Sequence, residues 1–380
     1  MSTPTSATHK SVVVTSLGQY GVQEVSTPVP TSGQVLVKIL AFTVNPNYKY
    51  IIGGHIPFFN TFPMRPGGGC IGRVEAVGND ALTVSPGQLV LVNPSIYGRD
   101  DPAEKIVQGL IQGFNPRQVQ LATKAWAHGA ISEKTLVPLE NVVPVNEEYW
   151  LKTKGYPTEK IMALMRFALP YHGYELAKLK AGETVVVAFA TGSLGNAAIE
   201  LALVLGAAHV VGLGRTQSKL DAWHASLPAQ YASRVSTVAL TGDVAADTAS
   251  IQAATPAKSG ADVFFDLTPT GAAPDAISAH LGAGIGAMRP KGRVILMGNV
   301  MNNVSLPYRQ IVAKDLQLLG AYLNPVDVPK KVVRLAESGL LTIDHYQTEV
   351  MAGGMDVLAK AMDVAEEKKG TRFTLLLAPN

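Results

Sequence analysis

The chain has 380 residues, 47% of them apolar and 16% charged, with a formal net charge of +3. A single hydrophobic core stops growing near about 250 residues, so this length implies two domains, and the apolar share excludes a disordered chain. The mild charge, with no basic cluster interleaved with aromatics, argues against a nucleic-acid or anionic-membrane partner.

Cys70 is the single cysteine. An intrachain disulfide framework and a cysteine-rich metal site are therefore excluded, and a reducing compartment is expected. The opening MSTPTSATHK has no apolar core of the kind a secretory leader carries, and no run approaches the roughly 18 apolar residues of a membrane span. The expectation is a cytoplasmic protein.

In chain order, residues 10–145 read as short β runs parted by Gly/Pro turns, such as Val35-Leu-Val-Lys-Ile-Leu, Ile71-Gly-Arg-Val-Glu-Ala-Val and Gln88-Leu-Val-Leu-Val. The stretch from Pro102 to Ala127 reads as helix and loop broken up by Pro116 and several glycines, a surface insertion or a lid. Helical periodicity begins near Thr158. The run Thr184-Val-Val-Val-Ala-Phe-Ala then has the uninterrupted apolar character of a strand buried on both faces. After it, strand-like and helix-like segments alternate at 197–205, 209–214, 219–224, 237–241, 262–267, 293–298 and 316–322. That alternation predicts βαβ units in a doubly wound parallel sheet. From Pro329 to Asn380, two helical segments precede a terminal strand, Phe373-Thr-Leu-Leu-Leu.

The run Ala190-Thr191-Gly192-Ser193-Leu194-Gly195 stands between a predicted buried strand and a predicted helix. A dinucleotide site needs that placement, because glycines let the backbone approach a pyrophosphate and free N–H groups at the helix N-terminus receive its charge. Ala190 replaces the first Gly of Gly-x-Gly-x-x-Gly, so the spacing alone also describes an ordinary strand-to-helix turn. The βαβ context favours the nucleotide. The next strand ends in Gly214-Arg215-Thr216, with Lys219 one turn on and no carboxylate. An NAD site wants an acid there for the ribose hydroxyls, whereas cations and a hydroxyl suit the 2′-phosphate of NADPH. The alternative is that Arg215 and Lys219 are solvated surface charges.

This succession resembles the medium-chain dehydrogenase/reductase superfamily, in particular its zinc-independent, quinone-oxidoreductase-like branch. The landmarks run in order through Gly33-Gln-Val-Leu-Val-Lys, Asn45-Pro46, Pro66-Gly67, Gly72-Arg-Val, Val77-Gly78, Pro86-Gly-Gln-Leu-Val, Gly129-Ala-Ile-Ser-Glu-Lys and Lys180-Ala-Gly-Glu-Thr, and reach Thr371-Arg-Phe-Thr. Where zinc-dependent relatives have their three ligands, this chain has Asn45, the Gly67-Gly68-Gly69 run and Met165. None of these holds tetrahedral zinc, so no metal is expected.

The resemblance implies a GroES-like β-rich substrate and catalytic domain over 1–160, a Rossmann NADP-binding domain over 161–321, and a C-terminal segment, 322–380, that completes the first. NADPH is expected in the cleft between the two, bound by Thr191, Gly192, Ser193, Leu194, Gly195, Gly214, Arg215, Thr216 and Lys219, with Thr268, Gly298 and Asn299 at strand ends near the nicotinamide. Tyr50 stands where several quinone-oxidoreductase relatives carry an active-site tyrosine and is the candidate proton donor, the alternative being a tyrosine packed at the domain rim. Asn45 is a candidate polar contact and His55 a weaker proton donor. The implied activity is hydride delivery to a small-molecule enone, enoyl or quinone-like acceptor. The alternatives are carbonyl reduction, as in an alcohol dehydrogenase, or an NADPH-binding protein with altered catalysis. A homodimer is expected, paired through a sheet edge supplied by Arg293–Gly298 and the following Val304-Ser-Leu-Pro.

Overall fold

The computed structural model describes residues 7–58, 61–368 and 372–379. Residues 1–6, where the leader was sought, and Thr371 of the last landmark lie outside them. The chain forms two compact units, one of 1–165, 325–369 and 373–380, the other of 166–324 and 370–372.

The first unit opens with an antiparallel hairpin of β1 (Thr8–Ser16) and β2 (Gln19–Ser26). Its main sheet is built on β3 (Gln34–Thr43), followed by α1 (Tyr48–Ile52), β4 (Cys70–Val77) and the fully buried β5 (Leu89–Val92). A side hairpin of β6 (Ser95–Tyr97) and β7 (Lys105–Val107) leads to α2 (Pro116–Gln120) and a short π-helical turn. The stretch from 102 to 127 is therefore part strand, which corrects the helix-and-loop reading. Pro116 does not break the helix but opens it, where its missing N–H costs nothing, and Asn115 caps it through Gln118 N at 2.9 Å. Ile96, Ile106, Ala122 and Trp126 close over a small apolar core of their own, which anchors the segment. Then β8 (Lys134–Pro138) pairs with β3, and β9 (Val142–Pro144) pairs with β5.

The second unit follows with α3 (Ala168–Ala177), β10 (Thr184–Ala188), α4 (Ser193–Val204), β11 (His209–Gly214), α5 (Gln217–Ala225), α6 (Ala229–Ala232) and β12 (Val235–Ala239). After these come α7 (Val244–Ala253), β13 (Ala261–Asp266), α8 (Pro274–Gly286), β14 (Met288–Leu296), α9 (Tyr308–Ala313) and β15 (Gln317–Gly320). The six strands are all parallel in the order β12-β11-β10-β13-β14-β15. This is a doubly wound Rossmann sheet, whose order reverses between β10 and β13, the place where such sheets take ligands.

The periodic reading delimits α4 and α5 but passes over α7, α8 and α9. In α8, Ile277 and every residue from His280 to Gly286 are buried, so no polar face marks the helical period. The expected dimer edge also needs correction. Residues 293–296 lie in β14, which is paired on both sides, and the exposed edge of the sheet on this side is β15.

The chain then returns to the first unit through α10 (Val328–Glu337), β16 (Gln347–Met351), α11 (Leu358–Glu367) and β17 (Phe373–Leu377). Strand β17 runs parallel to β16 and antiparallel to β3, with Leu376 opposite Thr43. The architecture is thus a Rossmann unit plus a β-rich unit. Among the described residues no helix is long and apolar enough to cross a membrane.

Candidate functional site

Strand β10 is buried throughout and ends at Ala188, so Phe189 and Ala190 belong to the turn and not to the strand. The turn closes through Ala190 N to Leu213 O at 2.8 Å and Gly192 N to Phe189 O at 3.2 Å. Helix α4 starts at Ser193 from an extended Gly192. A Cβ at Gly195 would collide with the Phe189 carbonyl oxygen, so glycine here allows the helix to lie close on the strand, the role of the last glycine in a dinucleotide loop. Ala190 is fully buried, and its methyl would lie 2.8 Å from a Cβ at Gly212. The alanine that breaks the glycine pattern thus fills the space that Gly212 leaves. The first-turn N–H groups of Ser193, Leu194 and Gly195 have no acceptor within the helix and present the positive end of its dipole.

One residue the sequence reading missed sits here. The guanidinium of Arg166, just ahead of α3, donates to the Ser193 hydroxyl. Nothing in the local sequence marks it, because the contact is made between segments far apart in the chain.

At the end of β11, Gly214 is buried while Arg215, Thr216 and Lys219 are exposed. Among the described residues neither Arg215 nor Lys219 makes a hydrogen bond or an ion pair. The nearby Asp221 is engaged by Gln217 at 2.7 Å. A Cβ at Gly214 would meet Leu220 Cδ2 at 2.8 Å and Cγ at 2.9 Å, so the packing of α5 on β11, besides any ligand, requires glycine at this position.

Beyond the switch point, β13 ends in a buried polar cluster. Thr268 Oγ1 donates to Asp266 Oδ1 at 2.6 Å, and His280 Nε2, on α8, lies 2.9 Å from the same oxygen and 3.0 Å from Thr268 Oγ1. A Cβ at Gly298 would lie 2.6 Å from Asp266 Oδ2 and 2.9 Å from Thr268 N. Asn299 N donates to Thr268 O at 2.9 Å, and its side chain donates to Thr270 Oγ1 at 2.6 Å. Thr268, Gly298 and Asn299 therefore do come together. The two side chains that hold them, Asp266 and His280, were not singled out, although an acid inside the apolar run Ala261-Asp-Val-Phe-Phe-Asp and a histidine inside an apolar helix were signals of a buried pair.

The remaining candidates lie in the first unit, around α1. Asn45 Oδ1 accepts from Asn47 N at 2.8 Å, which fixes the turn, and among the described residues its amide NH₂ makes no hydrogen bond. Tyr50 is exposed, and its hydroxyl donates to the Glu366 carboxylate on α11, a bond that raises its pKa. Lys49 is tied to Asp363 on the same helix at 2.7 Å. The hydroxyl of Tyr50 is thus occupied by Glu366, a partner the sequence did not reveal. His55 is exposed and meets the Tyr50 ring edge-on at 6.2 Å. Tyr48, by contrast, is buried and accepts from Gly68 N at 2.9 Å, and burial pushes its pKa up to about 12. It therefore packs against the Gly67-Gly68-Gly69 run. Among the described residues no three His, Cys, Asp or Glu side chains converge as a metal site requires.

Residues 31–147 match the model of the alcohol dehydrogenase GroES-like domain. The chain is 29% identical over 227 residues to an acryloyl-coenzyme A reductase of Metallosphaera sedula, covering 60% of this chain and 63% of that protein. It is 35% identical over 75 residues to a quinone oxidoreductase of Homo sapiens, covering 20% of this chain and 23% of that protein. The matched stretches thus span less than two thirds of the relatives' lengths. Solved structures resemble nearly the whole fold. The crystal structure of AibC superposes with a TM-score of 0.76 at 21% identity, covering 98% of this chain and 96% of that one. A zinc-binding dehydrogenase of Sinorhizobium meliloti 1021, described as bound to NADP, superposes at 0.73 and 19% identity, covering 98% and 100%. The rspB dehydrogenase of E. coli CFT073, complexed with NADH, superposes at 0.75 and 17% identity, covering 98% and 99%.

Proposed function

We propose that the chain, which resembles the medium-chain dehydrogenase/reductase superfamily in its GroES-like stretch and its relatives, is an NADPH-dependent, zinc-independent oxidoreductase that reduces an enone, enoyl or quinone-like small molecule. The observation that carries this reading is the end of β11, where a buried glycine stands in place of a ribose-binding acid and two exposed cations, Arg215 and Lys219, have no partner among the described residues. Such cations have no internal ion pair to give up when a 2′-phosphate arrives, so the attraction left after solvent screening favours NADPH over NADH.

The fit to a dinucleotide rests on the loop itself, where Gly195 leaves open the close approach of strand and helix that a side chain would block. In this reading the first-turn N–H groups of α4 and Arg166 hold the pyrophosphate, and Arg215, Thr216 and Lys219 hold the 2′-phosphate. The Thr268–Asn299 strand ends, kept in place by Asp266 and His280, line the nicotinamide half. When bound, the reduced nicotinamide supplies the hydride. In the first unit, read as the substrate domain, the Asn45 amide donates to the oxygen on which negative charge develops. Tyr50 serves as proton donor only after its hydroxyl leaves Glu366, with His55 beside it.

The test is turnover of NADPH with a panel of enones, enoyl thioesters, quinones and aldehydes, with the product identified in each case. Loss of C=C, or quinone reduction, is the expected result. Loss of C=O with the C=C intact would make the protein a carbonyl reductase, and NADPH binding without turnover of any acceptor would remove the catalytic reading.

A further inference from the structure

In the first unit, away from α1, three segments that each carry a basic side chain are bonded together through their main chains. The segments 9–14 of β1, 64–67 and 128–132 are laced together by main-chain hydrogen bonds, Val12 N to Ile131 O at 2.9 Å, Val14 N to Met64 O at 2.8 Å, Ala130 N to Gly67 O at 2.9 Å and Ile131 N to Pro66 O at 3.0 Å. The approach is close enough that a Cβ at Gly129 would collide with the carbonyl oxygens of Arg65 and Pro66. Arg65, His128 and His9 are carried on these three segments, and their charges act on one another, Arg65 on both histidines and His9 on His128.

Each of the three has hydrogen-bonding capacity left over. Arg65 is half-buried, and among the described residues it makes no hydrogen bond or ion pair. His9 is 3% exposed, with Nδ1 2.9 Å from Thr27 Oγ1 and Nε2 buried without a hydrogen-bond partner among the described residues. In the tautomer in which the Thr27 hydroxyl donates to Nδ1, and in the protonated ring, Nε2 carries a proton and is an orphan donor. The half-buried His128 ring also makes no hydrogen bond among the described residues. The other charged groups near His9 are Lys134, Glu133 and Glu24. Lys134 is bound to Glu75 at 2.7 Å, and Glu133 accepts from Lys10 N at 2.7 Å. Among the described residues no carboxylate is bonded to Arg65. A buried donor and a half-buried guanidinium left unpaired are costly, and such groups call for an occupant.

We propose that Arg65, His9 and His128 form a binding site for a phosphate group, separate from the nucleotide loop. A guanidinium fork offers two donors and the two imidazoles one each, which a tetrahedral oxyanion can satisfy together, whereas a carboxylate has only two oxygens to share among them. A bound phosphate also reverses the electrostatics of the cluster. Burial, with Arg65 and His9 adding to it, pushes the His128 pKa from 6.5 to about 3, and a nearby anion raises it again. Phosphate binding therefore takes up protons and tightens as the pH falls through this range.

The test is calorimetric titration of the full chain with inorganic phosphate, and separately with glycerol phosphate, in buffers of different ionisation heat. The variants are Arg65→Gln, His128→Gln and, as a control for the nucleotide end, Arg215→Ala. Binding with proton uptake is expected in wild type and Arg215→Ala, about tenfold or more weaker in Arg65→Gln, and with diminished proton uptake in His128→Gln. Should Arg65→Gln fail to fold, His128→Gln decides alone through its proton uptake. Binding of either ligand on this pattern supports the site, the free anion and the monoester being told apart by which binds tighter. Absence of phosphate binding to wild type, equal binding by Arg65→Gln, unchanged proton uptake in His128→Gln, loss in Arg215→Ala, or acetate bound more tightly than phosphate would each overturn it.

Discussion

Replacing Arg215 by Ala tests the cofactor assignment directly. The side chain is exposed and unpaired among the described residues, so its removal is expected to leave the fold unchanged. One charge-assisted hydrogen bond to a phosphate is worth about 1.5–3 kcal/mol, and solvent exposure with screening lowers this to about 1–2 kcal/mol. NADPH binding should therefore weaken about five- to thirtyfold while NADH binding stays nearly constant. Adding Lys219→Ala should widen the loss, and raising the salt should narrow the gap between the two cofactors in wild type. Fluorescence titration of both cofactors against both variants measures this. The reasoning fails if wild type binds NADH as tightly as NADPH, or if Arg215→Ala weakens both alike. Placing an acid at 214 is a less clean reversal, because its Cβ would press on Leu220, which is itself fully buried.

At Gly195, substitution by Ala should cost about 3 kcal/mol or more, since the added Cβ collides with main chain and not with a movable side chain. Chemical denaturation would show the loss, and an unaltered midpoint would contradict the packing argument. His128 titrates at about 3 in the folded chain against 6.5 when unfolded, so the unfolded state binds more protons in between. Its contribution to stability is complete above pH 6.5 and is lost as the pH falls towards 3, and His128→Gln should show a shallower decline of stability over that window. Purified protein should contain no stoichiometric zinc and keep its activity in chelator, and one zinc per chain by elemental analysis would refute this. The homodimer remains expected, now through β15 and not the 293–298 run, and a monomeric mass by light scattering at micromolar concentration would rule it out.

What could be read from the sequence depended on how local the cause was. The buried strand at 184–188, the turn to α4 and the acid-free end of β11 are each set by residues adjacent in the chain, so these local features could be read in order. Helices α7 and α8 left no clear period, α8 because it is buried nearly all round. The β14 run was apolar like an edge exposed for pairing, but its neighbours on both sides are set by tertiary order, which no local pattern encodes. The same limit applies to the site. Asn45 and Tyr50 could be picked out by position, whereas Glu366, which occupies the Tyr50 hydroxyl, and Arg166, which reaches Ser193, are brought in by folding.

The placing of β17 has a consequence for how the molecule is made. This strand lies between β16 and β3, and nearly the whole chain separates it from the β3 residues that it pairs with. On a ribosome, the Rossmann strands β10 to β15 have all emerged and can close their parallel sheet while the edge of β3 that faces Leu376 still waits, its main-chain donors and acceptors held only by water. The unit whose residues come first is therefore the one completed last. Until it is, β3 offers an open strand edge to any other extended segment, a folding intermediate of a neighbouring chain included.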